Sequence, residues 1–372
     1  MKKTTLSLIS LLISGAVLAG CSSDSDQSSA STENAQQESQ ITAKAKETNI
    51  SETETVKYYF TADEGGSISK VNSATNEVME IIEVDGTVHN VQVSPDGKML
   101  GATVIPAASH GHGEDTHGED SHGDTGMNGK ALFFDTETNE LLETVEVGNH
   151  PAHIVFTEDG KYTLVTNNED NNISVIDMES FSVSETIATG KGPHGFRISA
   201  NSKKAYIANM SEDTVSVLNL ETMKEEKKIT VGATPVTTGI TTDNKTLVVT
   251  LNAENMLAIV DLDTEQVEKV EVGTGPAQVY IDGINQFAYV ANQGTADAPS
   301  NSVSVVDLAS RKVTTTIETG KGAHGVVTSS DNKRLYVTNM FENTVTVIDT
   351  EQNKAIETIE VGEVPNGISI MK

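Results

Sequence analysis

Tryptophan is missing from this chain and aromatic residues make up only 4% of it, so a core must rest on Val, Ile and Leu. The single cysteine, Cys21, excludes a disulfide within the chain. Basic residues are scarce: 25 Lys and Arg stand against 54 Asp and Glu, a formal net charge of −29. Nucleic-acid binding needs a basic footprint that is absent here, whereas an acidic surface attracts cations. No Cys-x-x-Cys-His run offers covalent haem attachment, and no Ser/His/Asp order or paired-carboxylate motif stands out.

Long hydrophobic runs are also absent. The one apolar run, Leu6 to Val17, follows Lys2 and Lys3 and is too short for a mature membrane span. It reads as a secretory signal. The next residues, Leu18-Ala19-Gly20-Cys21, resemble the bacterial lipobox, whose cysteine is acylated and becomes residue one. This implies an anchor at Cys21, holding the protein to the outer face of the cytoplasmic membrane or to the outer membrane. Several acyl chains on one residue make a durable anchor. Residues 22 to about 55 are rich in Ser, Gln, Glu, Thr and Ala and cannot bury enough apolar surface to fold, so a flexible tether is expected.

Beyond the tether a phrase repeats. It is clearest as Arg334-Leu335-Tyr336-Val337-Thr338-Asn339, followed by Thr344-Val345-Thr346-Val347-Ile348-Asp349. Earlier copies centre on Tyr206-Ile207-Ala208-Asn209 and Leu164-Val165-Thr166-Asn167. The residue closing each third strand falls at Asp135, Asp177, Asn219, Asp261, Asp307 and Asp349, in steps of 42 residues with one of 46. A period near 40 with several short strands per unit predicts propeller blades. Six units begin near Val88, Pro151, Pro193, Pro235, Pro276 and Ala323. Residues 57 to 84 supply three strands of a seventh blade, and Asn366 to Met371 supply its first. The expected fold is therefore all-β, a seven-bladed propeller of four-stranded blades over residues 57–372, closed by the C-terminal strand. The phrasing resembles the YVTN-type β-propeller family. Residues 1–20 form the signal peptide and 21–56 the lipidated cysteine and tether.

Histidine recurs at one place in the repeat. Four residues after each repeat-ending glycine (Asp85 in the first) stand His89, Ala152, His194, Val236, Ala277, His324 and Asn366. First strands line a propeller's channel and begin at one mouth, so His89, His194 and His324 come from different blades yet surround one axis. His150 and His153 flank the same position, and His153 and Asn366 are further candidate ligands. Three converging imidazoles suit zinc in an open tetrahedral site. Copper also accepts imidazole, and Met210 and Met340, which follow second strands, keep Cu(I) open. A single histidine at a channel mouth would more often be a hydrogen-bonding loop residue.

Between the second and third strands of the first complete unit the sequence exceeds the repeat by 21 residues, at about 106–129. There His110, His112, His117 and His122 alternate with glycines and with Glu114, Asp115, Glu119, Asp120 and Asp124. A His-rich acidic tract is a common metal-binding composition, and its glycines predict a labile site. In a four-stranded blade this loop and the start of the first strand lie on one face, so loop and channel histidines should share a mouth.

Together these features resemble the AztD family of periplasmic zinc metallochaperones, secreted propellers with a His-rich stretch and a zinc site in the fold. The resemblance implies a metal-binding protein rather than an enzyme, with zinc first and copper second. Its partner would be a metal ABC importer or its solute-binding protein. Two departures stand: plain YVTN repeats and a lipid anchor. Propeller lactonases and a streptogramin lyase, which uses histidine and a divalent ion at the propeller mouth, give the enzymatic alternative. A metal-free interaction scaffold is the third.

Overall fold

A computed structural model describes residues 56–107 and 128–372 of the chain. Cys21, the signal and tether segments and the loop histidines His110 to His122 lie outside the described residues, as do Glu114, Asp115, Glu119 and Asp120. The described chain forms seven four-stranded antiparallel sheets, with one 3₁₀ turn at Asn252–Glu254 as its single helical element. The inner strands are Thr87–Val93, Pro151–Phe156, Pro193–Ile198, Pro235–Ile240, Pro276–Ile281, Ala323–Thr328 and Pro365–Ile370, from blades one to seven. Each packs on the next, and the last packs on the first, which closes a seven-bladed propeller. Pro365–Ile370 pairs antiparallel with Tyr58–Asp63, with Tyr59 opposite Ile370 and Thr61 opposite Ile368, so the chain's end completes the blade begun by its start. Each blade keeps only short inner and outer edge strands, and the closing strand completes the last of them.

The repeated phrase has a physical meaning residue by residue. The asparagine ending a second strand is buried, and in blade three Asn209 Nδ2 donates to Thr214 Oγ1 at 3.0 Å and to Ser216 Oγ at 2.9 Å. The Ser216 hydroxyl in turn accepts from Gly190 N at 3.1 Å. A Cβ on Gly190 would come within 2.4 Å of Asn209 Nδ2, so the repeat must end in glycine where this asparagine packs. At the third strand's end Asp177 accepts from the N–H groups of Glu179 and Ser180, an Asx turn that caps the hairpin. Between these polar clamps Val, Ile and Leu fill the seams between blades, as with Leu164, Ile173, Phe196 and Ile207.

The threonine of the phrase joins neighbouring blades. Thr166 Oγ1 accepts from His153 N at 2.9 Å and donates to the carbonyl of His194 in the next blade at 2.8 Å. Thr338 does the same between Gly325 and Asn366, at 2.7 and 3.0 Å. The amides it receives sit in a β-bulge. In blade three the ladder pairs Pro193 with Asn209 and then Phe196 with Ile207, so His194 and Gly195 share the space of one partner residue. A register break recurs here in every inner strand. In blade three the inner strand begins at Pro193, where the unit was expected to begin, because the bulge lets Pro193 rejoin the ladder.

Candidate metal centre at the channel mouth

The bulge decides which histidines meet. In an unbroken strand successive side chains point to opposite faces; a bulge interrupts that alternation. Here the fourth and fifth residues after the repeat-ending glycine both reach the channel. His89 and His194 stand at the fourth position, and His153 stands at the fifth in the blade between them. One ligand nitrogen from each of these three residues lies within 4.8 Å of the other two. The repeat position read from sequence favoured His89, His194 and His324, with His153 or Asn366 as an addition; the three whose ring nitrogens converge are His89, His153 and His194.

Hydrogen bonds fix how two of the rings present themselves. His194 Nδ1 lies 3.2 Å from the carbonyl oxygen of Val236, the equivalent residue of the next blade. A carbonyl only accepts, so Nδ1 carries the proton and Nε2 keeps its lone pair. His89 Nδ1 lies 3.0 Å from Glu64 Oε1, which likewise holds the proton on Nδ1. The two Nε2 atoms then face one another at 3.3 Å. Two lone pairs at that distance repel unless a proton or a metal cation lies between them. His153 is 1% exposed, and neither of its ring nitrogens has a hydrogen-bond partner. An unsatisfied buried polar group costs about 1–3 kcal/mol. A cation at this point would engage all three rings.

Burial keeps the His153 and His194 rings in the ligand form. Burial holds His194 down at about 3, helped by His89 and His324, and holds His153 well below the usual imidazole range. Burial opposes ionisation of Glu64, yet the hydrogen bonds it accepts from His89 and Asn366 bring its carboxyl down to about 2. Glu64 accepts from Asn366 Nδ2 at 2.6 Å as well as from His89. It therefore orients a histidine as a carboxylate behind a metal-bound imidazole does.

The remaining candidates form a second tier. His324 is buried; its Nδ1 donates to the Asn366 carbonyl at 3.2 Å, the contact His194 makes with Val236. Burial above all lowers its pKa to about 4. Asn366 thus contributes its amide to Glu64 and its carbonyl to His324. His150 lies at the rim with a left-handed φ of 49°; its Nδ1 is 3.6 Å from Glu169 Oε1 and its ring 6.3 Å from that of His89. Met340 Sδ accepts from Gln293 Nε2 at 3.2 Å. The described ends of the His-rich insertion, Ile105 and Lys130, flank this region: Ile105 pairs with Thr87, and Gly129 N bonds to Gly148 O.

Glu64 was not foreseen. It follows Asp63 at the position held by Asn168, Met210, Asn252, Gln293 and Met340 in other blades, and it is the one carboxylate among these residues. Stacking the repeats on the residue after the second strand would have exposed it.

Residues 125–362, more than half of the chain, match the family described as the cytochrome D1 heme domain. The chain belongs to that family. No curated protein matches the sequence. Similar solved structures include hydrazine synthase from Kuenenia stuttgartiensis, at 19% identity over 76% of this chain and 89% of that one, with a TM-score of 0.65. A functionally unknown protein from Desulfotomaculum acetoxidans shares 14% identity over 84% and 98%, with a TM-score of 0.69. A candidate 6-phosphogluconolactonase from Bacteroides fragilis shares 15% over 87% and 99%, with a TM-score of 0.67. Identities this low carry the propeller fold alone.

The family's description implies a haem, and the channel residues do not fit one. A porphyrin fills the four in-plane positions of its iron and leaves one axial ligand per face. Three nitrogens within 4.8 Å of one another leave no slot for such a plane. The channel is also tight beside the histidines: a Cβ on Gly195 would lie 2.4 Å from Thr237 Oγ1, and one on Gly325 2.5 Å from Asn366 O. The matched segment begins after His89 and Glu64, so the cluster is only partly within it.

Proposed function

We propose that the protein is an extracytoplasmic metal-binding protein that holds one divalent ion at this mouth, zinc before copper, on His89, His153 and His194. The observation that carries the reading is the pair of facing Nε2 atoms 3.3 Å apart beside a buried histidine with no partner. Zinc bonds of about 2.0–2.1 Å at a tetrahedral angle put neighbouring ligand atoms about 3.3 Å apart. A fourth position stays open for solvent or an incoming ligand, as exchange requires. The likeness to AztD metallochaperones supports a carrier role: the acidic loop His110–His122 captures the ion, the channel site holds it, and an importer or its solute-binding protein receives it. Cys21 would anchor the carrier beside that partner.

Protein produced without a histidine tag should carry about one equivalent of zinc or copper by elemental analysis. His153→Ala with His194→Ala should lose it while keeping a cooperative melt. Full retention of one tightly held ion in that double variant would exclude this site.

A further inference from the structure

Three residues beyond the histidine position, the same inner strands present Gln92, Arg197, Tyr280 and Ser369, with Val155, Gly239 and Val327 between them. These side chains line a cavity of about 400 Å³ at the other end of the channel, within the range of small-molecule sites.

Arg197 is the unusual member. It has five N–H donors, and the one hydrogen bond it makes is from Nη1 to the carbonyl of Phe196, its own neighbour, at 3.0 Å. Among the described residues it forms no ion pair with any carboxylate. Burial pulls its guanidinium below the usual range, and the group that counters this is Tyr280. In a chain with 54 acidic residues, a half-buried arginine without a carboxylate is a positive charge left for something else. The two acidic residues at the cavity are already engaged. Glu158 lies 3.7 Å from Lys372 Nζ, and buried Asp282 accepts from Gln286 N at 2.7 Å. Neither turns toward Arg197 in a hydrogen bond. Among the described residues Tyr280 Oη makes no hydrogen bond, and Gln92 Nε2 reaches only weakly placed acceptors, at 3.4 and 3.5 Å.

We propose that this cavity binds the carboxylate or phosphate group of a small organic anion. Arg197 provides a planar fork that meets two oxygens at once. Tyr280 and Gln92 add donors beside it. The apolar wall at Val155 and Val327 accommodates the carbon part of the ligand. The site is independent of the histidine cluster, since it uses other residues at the opposite mouth.

Thermal melts and calorimetric titrations with succinate and with inorganic phosphate test it on the full chain. One of the two anions should raise the wild-type Tm by about 2–5 °C near saturation. Arg197→Gln should abolish that rise and, without anion, melt close to the wild type, because the half-buried guanidinium has no carboxylate partner to lose. Arg197→Lys keeps the charge but loses the fork, and should bind at least about tenfold more weakly. A response to succinate alone assigns a carboxylate ligand, and one to phosphate alone assigns a phosphate ester. No rise with either anion, or an equal rise in Arg197→Gln, would overturn the proposal.

Discussion

At one end of the channel the inner strands carry His89, His153 and His194; at the other stand Gln92 and Arg197, three residues beyond His89 and His194, with Tyr280 from the inner strand of blade five. The first end turns lone pairs toward one point. The second gathers donors around a cavity with no carboxylate on its arginine. One backbone supports both, because the repeat's constant residues look elsewhere. Asn209, Thr166 and the terminal glycines clamp strand to strand and blade to blade. The residues facing the axis are not part of those repeated clamps, so each mouth is free to hold a different chemistry. In a propeller, the constant part of the repeat explains the fold, and the variable ring positions explain what it binds.

The two mouths depend jointly on the closing strand, which brings Asn366 to one and Ser369 to the other. Deleting residues 364–372 strips the first strand from blade seven and opens the ring. The expected outcome is loss of the cooperative thermal transition, the largest effect of any change considered. A truncated protein that melts like the full chain would mean that both mouths stand without closure.

Acid separates the mouths. With metal removed, His194 is held at about 3 and His324 at about 4, both below the ordinary imidazole value near 6.5. The unfolded chain therefore binds more protons between those values. The stability these neutral histidines contribute is complete above about pH 6.5 and is lost as pH falls toward 4 and then 3. Urea midpoints of chelator-treated protein should drop steeply from pH 7 to pH 5. Arg197→Gln should alter that slope only slightly, since burial and the neighbouring histidines lower His153 more than Arg197 does. A large change in slope would show the mouths to be strongly coupled.

Glu64→Gln is a finer cut. It preserves an acceptor for His89 but removes the charge, and carboxylates in that position are worth about 10–100-fold in metal affinity. Zinc competition with a chromophoric chelator should show a loss in that range, with the response to anion untouched. The smallest effect is expected at the rim of the other mouth. Lys372→Ala removes an exposed ion pair with Glu158 and should change stability by less than about 0.5 kcal/mol in denaturant melts. A larger loss would give the rim pair a part in shaping the cavity.

Local patterns were enough for the architecture. Strand alternation, Asx turns such as that at Asp177 and the 42-residue step are short-range properties, and each blade repeats them. The closure of Asn366–Met371 on Tyr58–Ala62 could likewise be counted from leftover strands, and it differs from the observed pairing only at its ends. The sequence by itself thus determined the blade number, the ring and the presence of histidine near one mouth. Only the tertiary structure decided that His153 joins His89 and His194, because the bulge at the start of each inner strand changes which residues face the axis. It also decided that Glu64 stands behind His89 and that Arg197 has no carboxylate. Those facts depend on which atoms from separate blades come within a few ångströms, and no single repeat contains that distance.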